Sequence, residues 1–290
     1  MKNDIKAVAE KVNDYLSQKV MSKDSDLSLL YDSMRYSLLD SGKRIRPYIV
    51  ISVARALGAS DDVAIPFAAA LEMIHTYSLI HDDLPCMDDD DFRRGRPSNH
   101  KAFGEDIALL AGDALLTKAF ETVSFSCASS ETKIEAIKVL SVAAGADGMI
   151  GGQLLDLDAE KNPPSIQALL KIYSMKTGAL LRAAAQLGYL ASENRSEEIS
   201  HALDVYATNI GTSFQIVDDV LDKYGNAEDL GKPIGSDEKN GKVTFVSFYS
   251  REEALNIAAK MTHEAICAIK NLPQSDNLVM LAKYLLERNV

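Results

Sequence analysis

Apolar side chains recur along most of this chain at three- and four-residue intervals. That is the repeat of an amphipathic helix, not the two-residue alternation of a half-buried strand. The spacing predicts helices over 5–19, 27–39 and 45–57. Gly58-Ala59-Ser60-Asp61-Asp62 then reads as a turn with an N-cap. From Val63 to His81 the apolar positions close up until no polar face remains, which predicts a helix buried on all sides. Pro85 disfavours helix at Leu84, so that helix should end beside Asp82 and Asp83. Further helices are predicted over 106–125, 132–150, 165–190 and 201–222, the last ended by Gly225 and Asn226. Two more should fill the C-terminal part. No strand alternation stands out, and no low-complexity linker divides the chain. The expectation is an all-α protein forming one domain over 1–290.

Composition narrows the picture. Hydrophobic residues at 47% and charged residues at 25% are those of a globular protein with a sizeable core. A net charge of −11 argues against a nucleic-acid partner, although it permits a local basic pocket for a small anion. Cys86, Cys127 and Cys267 are odd in number and far apart, so a reducing compartment is expected, with no disulfide framework and no zinc spacing. The charged start Met1-Lys2-Asn3-Asp4-Ile5-Lys6 lacks the apolar stretch of a signal peptide. No apolar run reaches the ~18 residues of a membrane span. A cytoplasmic location is the expectation.

The chemistry concentrates in Asp82-Asp83-Leu84-Pro85-Cys86-Met87-Asp88-Asp89-Asp90-Asp91. Carboxylates packed this closely repel unless solvent, protons or cations intervene. The run follows an apolar helix and precedes Arg93, Arg94 and Arg96, a setting for hard cations and phosphate together. A second acidic site, Phe214-Gln215-Ile216-Val217-Asp218-Asp219-Val220-Leu221-Asp222, puts Asp218 and Asp222 on one helix face. It too lies near a helix C-terminus, where the macrodipole disfavours negative charge. Two such helices suggest two halves of one divalent-metal site. Magnesium fits, since it takes a few carboxylates plus substrate phosphate. An EF-hand does not fit: a loop starting at Asp88 has Arg93 where the turn glycine belongs and Asn99 where the bidentate glutamate belongs.

Basic residues cluster as selectively. Lys43 and Arg46 lie three apart at a helix start, a geometry that suits an anion. Arg93, Arg94, Lys176-Thr177-Gly178, Lys232 and Lys242 complete the set. His75, two helical turns before Asp82, reads equally well as a core histidine or a site residue.

Taken together, these residues resemble the trans-isoprenyl diphosphate synthases, specifically the short-chain bacterial farnesyl type. The likeness runs through Gly42-Lys43-Arg44-Ile45-Arg46-Pro47, His75 with the first Asp motif, and Arg93-Arg94-Gly95. It continues through Gly151-Gly152-Gln153 with Asp156-Leu157, Lys176-Thr177-Gly178, Phe214-Gln215 with the second Asp motif, and Gly231-Lys232. Ser41 stands where that family commonly has glycine. The resemblance implies a helical bundle around a deep central cavity, usually a homodimer. It implies that Asp82, Asp88 and Asp218 bind three Mg²⁺ ions gripping an allylic diphosphate, supported by Asp83 and Asp222. Arg93, Lys176, Lys232 and Lys242 would contact that diphosphate, and Lys43, Arg46, His75 and Arg94 would hold isopentenyl diphosphate. Lys176, Thr177 and Gln215 would stabilise the allylic cation.

The resemblance also bears on product length. Tyr77, five residues before Asp82, would close the cavity floor, with small Ser78 leaving that role to it. Together with the two extra residues between Asp82 and Asp88, this implies a farnesyl product; a smaller residue would imply geranylgeranyl diphosphate. A class I terpene cyclase would need no second diphosphate pocket, so Lys43, Arg46 and Arg94 count against it. A metal phosphohydrolase built on His75, His81 and Asp82 leaves the second Asp motif unexplained. A non-catalytic synthase subunit would be expected to lose one Asp motif, and both are present.

Overall fold

The computed structural model describes residues 1–21, 24–40, 42–225 and 242–287. In chain order these form α1 (Lys2–Lys19), a 3₁₀ turn (Ser25–Leu27), α2 (Ser28–Leu38), α3 (Ile45–Ala56) and α4 (Asp61–Asp82). A two-stranded hairpin follows, β1 (Phe92–Arg93) and β2 (Arg96–Pro97), then α5 (Asn99–Phe103), α6 (Glu105–Ser124), α7 (Ser130–Ala144) and α8 (Met149–Lys161). Next come α9 (Ile166–Ile172), a π-helical turn (Tyr173–Gly178), α10 (Ala179–Leu190) and α11 (Glu197–Tyr224). A 3₁₀ turn (Phe245–Ser247), α12 (Arg251–Ile269) and α13 (Asp276–Leu286) complete the described chain. The all-α expectation is met.

Helix α4 is the axis of the bundle. It packs against α1, α2, α3, α6 and α10, and residues from Phe67 to Ile74 are all buried. By length and composition α4 could cross a membrane, with a window of mean hydropathy 1.4, but 72% of that window is buried inside the protein. Glu72 interrupts its apolar run. Glu72 is itself buried and meets Arg44 Nη1 at 2.6 Å. Arg44 also donates to the Leu38 carbonyl at 2.5 Å and to Asn13 at 2.9 Å. One guanidinium thus joins α1, α2, α3 and α4. At the other end of α4, Asp61 takes hydrogen bonds from Arg55 at 2.8 and 2.7 Å and from Lys11 at 2.8 Å.

Boundaries differ from expectation in three places. The helix predicted over 132–150 is two helices, because the chain leaves helical geometry at Gly145 and Gly148 (φ −125°, ψ −129°). The run over 165–190 stays continuous but widens into the π turn around Lys176, a feature common at functional sites. The arginine-rich loop contains the hairpin, whose turn residues Arg94 and Gly95 both have positive φ, 53° and 79°, as a type I′ turn requires. Buried apolar residues form a main cluster around α4 and a second around Tyr173, Ile216 and Phe245. Helix α11 contributes Tyr206 and Ile210 to the first and Val217 and Val220 to the second.

Candidate active site

The two aspartates at the end of α4 have different surroundings. Asp82 lines a cavity, and its carboxyl is pushed up to about 6, first by burial and further by Asp88 and Asp83, against the pull of Lys176 and Arg93. Asp83 is buried and receives Arg93 Nε at 2.8 and 3.0 Å on its two oxygens, with Nη2 closing the pair. The hairpin is what brings Arg93 back onto it. Between them the chain doubles over: Met87 N donates to the Leu84 carbonyl at 2.8 Å and Asp88 N to the Asp82 carbonyl at 2.9 Å. Exposed Asp88 is thereby returned close enough to Asp82 for its charge to act on that carboxyl.

The second acidic motif divides in the same way. Asp219 is buried and accepts from the Tyr173 hydroxyl and from Phe245 N at 2.7 Å. It ties α11 to the π turn and to the segment after it. Asp218 and Asp222 lie half-buried one helical turn apart. One turn earlier, Gln215 accepts from the Thr177 hydroxyl at 3.0 Å, and Thr177 lines the same cavity as Asp82. Among the described residues no three His, Cys, Asp or Glu side chains cluster closely enough to hold a metal alone. The carboxylates of Asp82, Asp88, Asp218 and Asp222 are hard oxygen donors, the type that magnesium takes together with waters and phosphate oxygens.

Positive charge gathers around His75. Arg46 Nη1 lies 3.4 Å from His75 Nε2, and Arg46 Nε is buried without a hydrogen-bond partner. His75 is held well below the usual histidine range, first by burial and then by Arg46, Arg94, Arg44 and Arg93. It is therefore neutral near pH 7. Arg94 reaches the loop before α3, where Lys43 is exposed. Lys232 lies outside the described residues.

Lys176 projects from the π turn and donates to Asp156 Oδ2 at 2.6 Å. Lys242 reaches the same oxygen at 3.4 Å and Glu160 at 3.5 Å. Burial alone would raise the Asp156 carboxyl, but the two lysines outweigh it and hold it below the usual range. Sequence reasoning gave Asp156 and Glu160 no role. The signal available was their four-residue spacing on α8.

The cavity itself measures about 540 Å³. Its walls are mostly apolar, including Leu84, Leu109, Met149, Leu154 and Leu180, and Cys86 stands at its edge. Tyr77 is only 4% exposed. Its phenol is pushed up to about 12, by burial first and then by Asp82, and its hydroxyl has no partner. The ring meets His81 edge-on at 5.7 Å. His81 is pinned in turn by the Leu109 carbonyl at 3.0 Å, in space that exists because Gly112 has no Cβ; one there would lie 2.1 Å from the imidazole. Ser78 lines the cavity but donates its hydroxyl to the His75 carbonyl at 2.9 Å.

A mostly apolar cavity whose lining carries Asp82 together with Arg46 and Lys176 suits a hydrocarbon with an anionic head. The chain belongs to the polyprenyl synthetase family, whose description matches residues 27–279. It is 44% identical over 263 residues to the farnesyl diphosphate synthase of Micrococcus luteus, covering 90% of each chain. It is 42% identical over 270 residues to the geranylgeranyl diphosphate synthase of Cyanophora paradoxa, covering 90% of this chain and 88% of that one. The solved Helicobacter pylori geranyltransferase, complexed with magnesium and isoprenyl diphosphate, superposes with a TM-score of 0.86 at 32% identity, covering 98% of this chain and 96% of that one.

Proposed function

We propose that this protein is a trans-prenyltransferase that condenses isopentenyl diphosphate with dimethylallyl and then geranyl diphosphate to give farnesyl diphosphate. The reading is supported by one apolar cavity whose lining includes the carboxylate Asp82 and the cations Arg46 and Lys176, since the reaction needs two diphosphates and one hydrocarbon channel. In this reading Lys176, Lys242, Arg93 and Lys232 take the allylic diphosphate, while Lys43, Arg46, His75 and Arg94 take isopentenyl diphosphate. The allylic C–O bond breaks with its electron pair leaving on diphosphate. The alkene of isopentenyl diphosphate then bonds to the allylic carbon, and the released diphosphate removes the proton. Magnesium, held by Asp82, Asp88 and Asp218 with Asp222 beside them, would neutralise charge on the departing diphosphate; three ions are expected. Asp83 would act through Arg93, which it orders. The Lys176 carbonyl, Thr177 and Gln215 face the developing cation, and the closed apolar wall keeps water from it.

The same reading takes the chain as one catalytic domain over 1–290, working as a homodimer in the cytoplasm. The domain assignment draws support from α11, which runs through both apolar clusters. The dimer draws support from Leu110 of α6, apolar yet 52% exposed and outside the cavity lining. Product analysis tests the whole. Purified protein, Mg²⁺, isopentenyl diphosphate and either allylic primer should give mainly a fifteen-carbon alcohol after phosphatase treatment. A twenty-carbon product would keep the reaction and replace the farnesyl assignment. No condensation with either primer would overturn the reading.

A further inference from the structure

Gln153 sits on α8 directly after Gly151 and Gly152. Helix α8 lies so close to the π turn that a Cβ on Gly152 would stand 2.2 Å from Lys176 N. That approach delivers Gln153 to the cavity wall shared with Lys176 and Thr177. There both its amide atoms, Oε1 and Nε2, are shut off from solvent and have no hydrogen-bond partner. Of the six buried side-chain polar atoms without partners among the described residues, four belong to Arg46, Tyr77 and Gln153, all of which line this cavity. Gln153 is the one with both halves of its group unmet. Folded proteins rarely leave a buried amide so. Where they do, the group is commonly held for a ligand.

We infer that Gln153 is a further catalytic residue, its amide oxygen turned to the allylic carbon as positive charge develops there. Its neighbours decide the role. Met149 and Leu157 beside it are apolar and line the same cavity, and its own amide atoms are shut off from solvent, so the hydrocarbon lies here and the field of a fixed dipole acts with reduced screening. Diphosphate donors are already supplied by Lys176 and Lys242, which converge on Asp156 one turn further along α8. The bond changes are those of the condensation: the allylic C–O pair leaves on diphosphate, and Gln153 donates and accepts no proton.

The inference rests on the prenyltransferase reading, and the full-length Gln153→Leu variant separates the two. Replacing an unpaired buried amide by an apolar side chain should raise Tm by about 2–4 °C. The same change should lower kcat with geranyl and isopentenyl diphosphates at least tenfold while KM for isopentenyl diphosphate stays within twofold. Gln153→Glu, which keeps a carbonyl oxygen, should recover much of the rate. A structural glutamine would give the reverse pattern, with lower Tm and near-normal kcat, and that would overturn the proposal. So would a Gln153→Glu variant that keeps kcat but raises KM for the allylic diphosphate, because the N–H₂ would then be the working end. Should the leucine variant not fold, Gln153→Met is read by the same criteria. If the wild type itself does not condense, the functional reading has failed, and a Tm that does not rise still overturns the unmet-amide premise.

Discussion

Lys176 Nζ stands 2.6 Å from Asp156 Oδ2, so a lysine on the cavity wall is neutralised by a carboxylate from the neighbouring helix. Lys242 shares that oxygen at 3.4 Å. Both long side chains are therefore ordered before any anion arrives, and a diphosphate has to exchange with Asp156 rather than immobilise them. Ordering a side chain of this kind costs about 0.5–1.5 kcal/mol. Asp156→Asn should leave two lysines facing each other without their anion. KM for the allylic diphosphate should rise roughly tenfold, equivalent to about 1.4 kcal/mol, with a smaller change in kcat. Initial-rate kinetics at saturating isopentenyl diphosphate check this; an unchanged KM would sink it.

Tyr77 occupies the helix turn below Asp82, 4% exposed and edge-on to His81. In the proposed reading its ring stops the growing chain. Tyr77→Ala removes that ring, and the product should lengthen beyond fifteen carbons under otherwise identical conditions. Gly112 gives a second route to the same wall. A methyl group there collides with the His81 ring at 2.1 Å, so Gly112→Ala should push His81 against Tyr77 and shorten the product. Chromatography of the dephosphorylated alcohols reads both. A fifteen-carbon product from both variants would remove this wall from the specificity argument.

The helices, their order and the end of α4 were legible because apolar spacing and Pro85 speak to local geometry. The carboxylates were legible only as clusters. Spacing places Asp82, Asp83, Asp218 and Asp219 in motifs but says nothing about which of them faces outward. Asp83 turns to Arg93 because a type I′ hairpin folds the chain back, and a positive φ at Arg94 leaves no trace in a hydrophobic pattern. Asp219 is taken by Tyr173, forty-six residues away in sequence. Asp156 was visible in a motif, but its pairing with Lys176 and Lys242 was hidden for the same reason: these partners are on other elements. The π turn at Lys176 was likewise invisible, since a single widened turn preserves the apolar face of the helix around it.

Arg44 and Glu72 form an ion pair at 2.6 Å whose side chains are 0% and 3% exposed. Glu72 lies on the core axis α4, and Arg44 holds a left-handed backbone (φ 51°) just before α3. Removing one partner of a buried pair leaves the other charge uncompensated, typically at about 3–5 kcal/mol. Glu72→Gln should therefore lose stability on that scale in urea unfolding. Replacing both residues by apolar ones of similar size should cost less than the single change. A single variant within about 1 kcal/mol of wild type would mean that water reaches the pair.

Around Arg46, His75 and Arg94 positive charge meets little opposing charge beyond Glu72 and Asp40. His75 is held neutral by burial and by the arginines around it, and Arg46 Nε points at no acceptor. An anion binding there relieves guanidinium repulsion and supplies the missing acceptor, so it should stabilise the folded protein without any metal. Inorganic pyrophosphate in a metal-free, chelator-containing buffer should raise Tm by roughly 5 °C near 100 times its Kd, where linkage supplies about 2.7 kcal/mol. Arg46→Met should lose most of that shift. Asp218→Asn should keep it, because Asp218 is not among the charges acting on Arg46, His75 or Arg94. Loss of the shift in the aspartate variant alone would move metal-free anion binding from the guanidinium groups to the carboxylates.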